Sequence, residues 1–107
     1  MVDFNQAVKD QNGKAIKAEE EDDLRLGNVV CNALYAQLEG DKADGNEKIR
    51  RHNLASKIQG DGEDFCEVEL THKQETRILD MADKVFGALI YSRIYEAVKG
   101  NLEVEDE

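Results

Sequence analysis

Two cysteines and two histidines have the widest chemical repertoire in this chain, and their spacing limits what they can do. Cys31 and Cys66 form no Cys-x-x-Cys pair, and with His52 and His72 they match none of the paired spacings of a zinc site. A thiol and an imidazole for nucleophilic catalysis are brought together by the fold and not by adjacency, so Cys31 with either histidine stays open at the level of spacing. The residue environments argue against it. Cys31 falls on an apolar helix face and Cys66 on the inward side of a strand pattern, where a thiol is commonly buried and inert. His52 stands among Arg50, Arg51 and Asn53, the pattern of a solvated surface, and His72 falls in the first turn of a helix. A disulfide needs Cα atoms within about 7 Å, which spacing does not establish, and the expected state is two reduced thiols in an intracellular protein.

Gly40-Asp-Lys-Ala-Asp-Gly45 has the look of a calcium loop. Placing Gly45 at the sixth position puts Lys42 at the third and Arg51 at the twelfth, where a bidentate glutamate belongs. Carboxylate pairs carry no information about acid–base chemistry in a chain with 24 acidic residues. The phosphate-binding and nucleophile-elbow patterns GxGxxG, GxxxxGK[ST] and GxSxG do not occur. The expectation is a non-enzymatic protein without cofactor or metal.

The elements that position these residues follow from patterning. At 107 residues the chain has room for one domain and one core. Its net charge of -10 repels nucleic acid and anionic membrane, so direct nucleic-acid binding is not expected. No apolar run approaches the length that spans a bilayer, and the first residues lack a signal-peptide pattern.

Thr71-His-Lys-Gln74 reads as a capping box, followed by Ile78, Met81, Ala82, Val85, Phe86 and Leu89 at helical spacing. This helical region runs from about His72 to Lys99, with a break near Gly87 and an end at Gly100. Val85 and Phe86 are expected in the core. Upstream, Asn12-Gly13 predicts a type I′ turn within a β-hairpin over residues 2–17. Leu24 and Leu26 fit a short strand, and a helix capped by Asn28 runs to Glu39-Gly40. A second helix over 46–59, capped by Asn46, shows a thin stripe of Ile49, Leu54, Ala55 and Ile58, with Lys48, Arg50, Arg51 and Lys57 facing water. Cys66, Val68 and Leu70 alternate with Glu67 and Glu69 as a strand. The fold class is α+β: an N-terminal hairpin and one or two short strands packed with three to four helices. Residues 1–102 form a single domain, and 103–107 an acidic disordered tail.

Leu24-Arg-Leu-Gly-Asn-Val-Val-Cys-Asn-Ala-Leu34, Glu47-Lys-Ile-Arg-Arg-His-Asn-Leu-Ala-Ser-Lys-Ile58 and Val68-Glu-Leu70 before Ile78–Val98 resemble the layout of small acidic accessory proteins of tailed bacteriophages and prophages. The resemblance implies a phage-encoded protein of the bacterial cytoplasm, and that group supplies no catalytic residues to carry over. Ser92 and Arg93 are more polar than its pattern.

Two functions remain open. The first is a protein–protein interaction module, with a phage or host partner or a second copy of the chain. It would dock through the C-terminal helical region, with Tyr91, Tyr95, Ile94 and Val98 as candidate interface residues. The second is inhibition of a host nucleic-acid-binding protein by acidic mimicry, suggested by the acidic runs at 19–23 and 103–107.

Overall fold

In the computed structural model of the chain, which describes residues 1–18, 22–60, 62 and 64–100, Thr71 closes its capping box as predicted. The Thr71 hydroxyl accepts from the Gln74 N–H at 3.2 Å, and Gln74 Oε1 accepts from the Thr71 N–H at 3.0 Å. The helix it starts, His72–Val85, is one of four. In chain order the elements are β1 (Val2–Asp3), α1 (Leu26–Tyr35), α2 (Gly45–Gln59), β2 (Glu67–Val68), α3 (His72–Val85) and α4 (Ala88–Lys99). β1 and β2 pair antiparallel, Val2 opposite Val68. α1 packs against both α2 and α3, α3 against α4, and α4 returns to β1. The architecture is α+β, as the sequence predicts. The expected tail at 103–107 and residues 19–21 of the first acidic run lie outside the described residues.

The hairpin differs from expectation in two ways. Residues 2–3 pair with β2 and not with the returning arm. The turn is also not type I′, because Asn12 keeps a negative φ and only Gly13 is left-handed, at 81°. The Gly13 N–H donates to Asp10 O and the Asp10 N–H to Lys14 O, which makes a type I turn closed by a glycine bulge. Asp10 Oδ1 decides this form by accepting from the N–H groups of Asn12 and Lys14, an Asx-type turn that the Asn-Gly pair conceals.

Beyond the turn, three short segments close on one another. Ala7 bridges Arg25, Lys9 bridges Ala15, and Lys17 bridges Asp23, all antiparallel. At the centres of these bridges the Val8 N–H donates to Leu24 O at 2.8 Å, Leu24 N–H to Ile16 O at 2.7 Å, and Ile16 N–H to Val8 O at 2.8 Å. The result is a closed ring of three backbone hydrogen bonds. Its three apolar side chains join the core, Val8 fully buried and Ile16 and Leu24 packed against it. Arg93 clamps this unit to α4, its Nε and Nη2 donating to Lys9 O at 2.9 Å and Asp10 O at 2.7 Å. The polarity of that position in the last helix thus serves to satisfy two turn carbonyls.

α1 begins earlier and ends earlier than its sequence suggests. Arg25 is the N-cap residue, and Asn28, expected there, lies three residues inside, its side chain accepting from the Arg25 N–H at 3.0 Å. The helix stops at Tyr35 because Ala36 turns extended, which lets Leu38 fold back against the core before the turn at Asp41. Gly27 is required by packing, since the Phe65 ring occupies the place a Cβ would take. α2 is capped by Asp44, whose carboxylate accepts from the Glu47 N–H at 2.8 Å, two residues ahead of the expected Asn46.

The core is formed by Phe4, Leu26, Val30, Ile58, Ile78, Met81 and Ile94 with their smaller neighbours. Of the stripe expected on α3, Ile78, Met81 and Ala82 are buried, while Val85 and Phe86 pack against the core with part of their surface exposed. Leu89 is half-exposed and stands outside the core cluster. α3 breaks at Phe86-Gly87, as expected, and α4 ends at Gly100. Among the described residues no helix is long and apolar enough to cross a membrane.

Candidate interaction surface

The four candidate interface residues on α4 do not share one environment. Ile94 is wholly buried and Val98 nearly so, both within the core, so neither is available to a partner. They complete the stripe that α4 turns inward, a use that their spacing in sequence leaves undecided between core and interface. Tyr91 and Tyr95 flank that stripe with their rings tilted, centroids 6.2 Å apart. Tyr91 packs against the core, and burial, with Asp83 and Tyr95 nearby, pushes its phenol above the ordinary tyrosine range. Only Tyr95, outside the core cluster, keeps the character of a surface residue.

A more exposed surface lies where the end of α1 meets the first half of α2. Tyr35, at the last position of α1, is 53% exposed, and Ile49 on α2 is 58% exposed. Apart from Met1 they are the only large hydrophobic residues so exposed among the described residues. Tyr35 is held in place. Its hydroxyl is hydrogen-bonded to His52 Nδ1 at 2.7 Å, and the two rings lie 5.8 Å apart. Lys48 and Ile49 precede His52 by one helical turn, so the three side chains share one flank of α2. Beside them opens a cleft of about 500 Å³ lined by Leu34, Tyr35, Leu38, Asp41, Lys48 and Arg51.

The floor of the cleft, Asp41 and Arg51, belongs to an ion-pair network. Arg51, only 8% exposed, donates from Nη1 to Asp41 Oδ2 at 2.8 Å and faces Glu47 at 3.6 Å. Glu47 is shared with Arg77 of α3, whose Nε and Nη2 donate to its two oxygens at 2.8 and 3.3 Å. The fork-to-fork pairing ties α2 to α3 in a way a lysine would not. The Arg77 hydrogen bond, with Arg51 and Arg50 adding their charge, holds the Glu47 carboxyl below the ordinary glutamate range. Arg51 and the backbone of Ala43 do the same for Asp41. One buried atom, Arg51 Nε, has no hydrogen-bond partner among the described residues.

The sequence pattern predicts Arg51 in water and Ile49 in the core, and the structure reverses both. The signal was present: positions 51, 54, 55 and 58 keep helical spacing, whereas Ile49 falls off that stripe by about a third to a half of a turn. Residue type outweighed spacing in the reading, and spacing decides the burial. Nothing in sequence pairs Tyr35 with His52, which depends on how α1 and α2 cross.

The thiols are placed as the sequence reading expects. Cys31 lies beside Ala55 O at 3.8 Å, half-buried, and burial pushes its pKa up. Cys66 points its thiol at Ile58 O, 3.3 Å away, and both cysteines are free. Among the described residues no three His, Cys, Asp or Glu side chains gather closely enough to hold a metal ion. No protein-family model, curated protein or solved structure matches the chain.

Proposed function

We propose that this chain is a non-enzymatic protein–protein interaction module of the phage-encoded accessory kind its sequence resembles, docking through the α1–α2 face. One observation carries the reading: Tyr35, 53% exposed, lines a cleft with Lys48 and Arg51 whose floor is fixed by the Arg51–Asp41 ion pair, and Ile49, 58% exposed, follows Lys48 on the adjoining surface of α2. An exposed tyrosine whose hydroxyl is already anchored offers a partner contact area at small cost in side-chain entropy. The α4 region supports docking less, since Ile94 and Val98 belong to the core and Tyr91 is packed against it.

Site-specific photo-crosslinking in the native host tests the reading. A photoreactive side chain at position 49 should give a discrete adduct that the same group at Ala18 or Lys73, exposed positions elsewhere, does not give. Adducts from position 95 but not from 49 would return the docking surface to α4. Equal labelling from all positions would remove the idea of a defined surface.

A further inference from the structure

We infer that the occupant of the α1–α2 face is an acidic protein segment carrying an apolar anchor, an inference that rests on the reading of this face as the docking surface. Charge decides the class. α2 carries Lys48, Arg50, Arg51 and Lys57 against the single acid Glu47, within a chain whose formal net charge is -10. Arg51 and Glu47 neutralise one another in the cleft floor together with Asp41 and Arg77. Two cations are left at the surface. Lys48 makes no ion pair among the described residues, and the Arg50 side chain, 58% exposed, reaches Glu47 only at 3.7 Å. Ile49 lies between them on the helix surface, Lys48 on its cleft side and Arg50 on the side toward Glu47, so carboxylates flanking the apolar part of a partner would meet Lys48 and Arg50 while one apolar side chain covers Ile49 and a neighbouring one enters the cleft. The walls of that cleft, Leu34, Ala36 and Leu38, suit an apolar group.

The same charges weigh against the other occupants. An extended polyanion such as RNA would run off this small basic strip onto an acidic surface, whereas a short segment feels mainly the field within a Debye length of about 8–10 Å. A second copy meeting this face by two-fold symmetry would set one basic patch against the same basic patch. Anchoring of Tyr35 by His52 and of Arg51 by Asp41 means that the surface is already ordered before a partner arrives, which lowers the cost of association.

The test is a titration of the full chain, followed by its backbone amide spectrum, with the peptide Glu-Glu-Leu-Phe-Glu-Glu blocked at both ends. The parallel probes are Lys-Lys-Leu-Phe-Lys-Lys, Glu-Glu-Ser-Ser-Glu-Glu and a short oligothymidylate. Shifts confined to the amides of residues 34–38 and 48–52 are expected from the first peptide. Binding should weaken about tenfold or more in the Lys48→Glu, Arg50→Glu double variant, and again when salt rises to about 0.5 M. Both positions are exposed, and an otherwise unchanged spectrum of the variant shows that the fold is kept. The inference falls if the acidic peptide shifts nothing or shifts other amides, or if the lysine peptide binds equally well. It also falls if oligothymidylate displaces the peptide at these amides, or if concentration alone shifts them through self-association. A position-49 adduct in the host without acidic-peptide binding would leave the docking face standing and remove this partner chemistry. Absence of both would remove the docking face as well.

Discussion

Tyr91 and Tyr95 sit one turn apart on α4 amid an apolar run, while Tyr35 closes α1 beside a polar loop. By sequence the first pair resembles an interface and the second residue a helix end. In the folded chain Tyr91 packs into the core and Tyr35 projects from the surface, held by an imidazole from a different helix. An apolar stripe with tyrosines thus marks a helix face needing cover, and the remainder of the same chain is the first candidate to cover it. Exposed apolar area survives where a helix ends and its neighbour offers only polar side chains.

The largest expected effect tests this contrast on two isoleucines. Ile94→Ala should lose about 2–5 kcal/mol, because it removes wholly buried methyl groups and leaves a cavity. Ile49→Ala, at a position 58% exposed, should stay within about 0.5 kcal/mol of the parent. Urea unfolding of the two variants measures both; equal losses would break the contrast between the faces. Phe86→Ala should fall between them, about 1.5–3 kcal/mol by the same measurement, since its ring is only partly covered.

Adjacent arginines sharpen the comparison further. Arg51→Ala removes a side chain only 8% exposed, leaves Asp41 without its partner and Glu47 with Arg77 as its main one, and should cost about 1–3 kcal/mol. Arg50→Ala removes an exposed 3.7 Å pair and should cost about 0.5 kcal/mol or less. Thermal unfolding at low and high salt separates the two, with the Arg50 effect the more easily screened.

Acidity gives a gentler test of the same floor. Glu47 and Asp41 have folded pKa values below their ordinary ranges, so the stability they add is complete above those ranges. It is lost as the pH falls through the ordinary carboxylate range to the depressed folded values. A Glu47→Gln variant should therefore show a shallower loss of melting temperature on acidification than the parent, and an identical slope would place the acid sensitivity elsewhere. Smallest of all, Tyr35→Ser should leave the melting temperature nearly unchanged while removing the position-49 adduct.

Much of the helical framework was legible because local chemistry dictates it. The Thr71–Gln74 box, the break at Gly87 and the stop at Gly100 all rest on interactions within a few residues. The α2 cap was missed by two residues, since Asp44 and Asn46 are both competent caps and only the backbone path chooses between them. The N-terminal region was less legible. An Asn-Gly turn predicts pairing between the arms it joins, yet β1 finds a partner in β2, far along the chain. The candidate surface was the least legible part. It requires the crossing of α1 and α2, the placement of Arg77 on α3 opposite Glu47, and a buried arginine where charge alone suggests solvent.

The ring formed by Val8, Ile16 and Leu24 bears on solubility. A short β-segment rich in apolar residues ordinarily presents a row of free amides and carbonyls, a template on which another chain can stack. Here each vertex both donates to one neighbour and accepts from the other. At that level the ring has no outer edge, much as a barrel has none, although it is far too small to be called one. The part of the molecule with the least regular secondary structure is thus closed to edge-to-edge growth by its own backbone, and a proline at any of the three vertices would reopen it by deleting one donor.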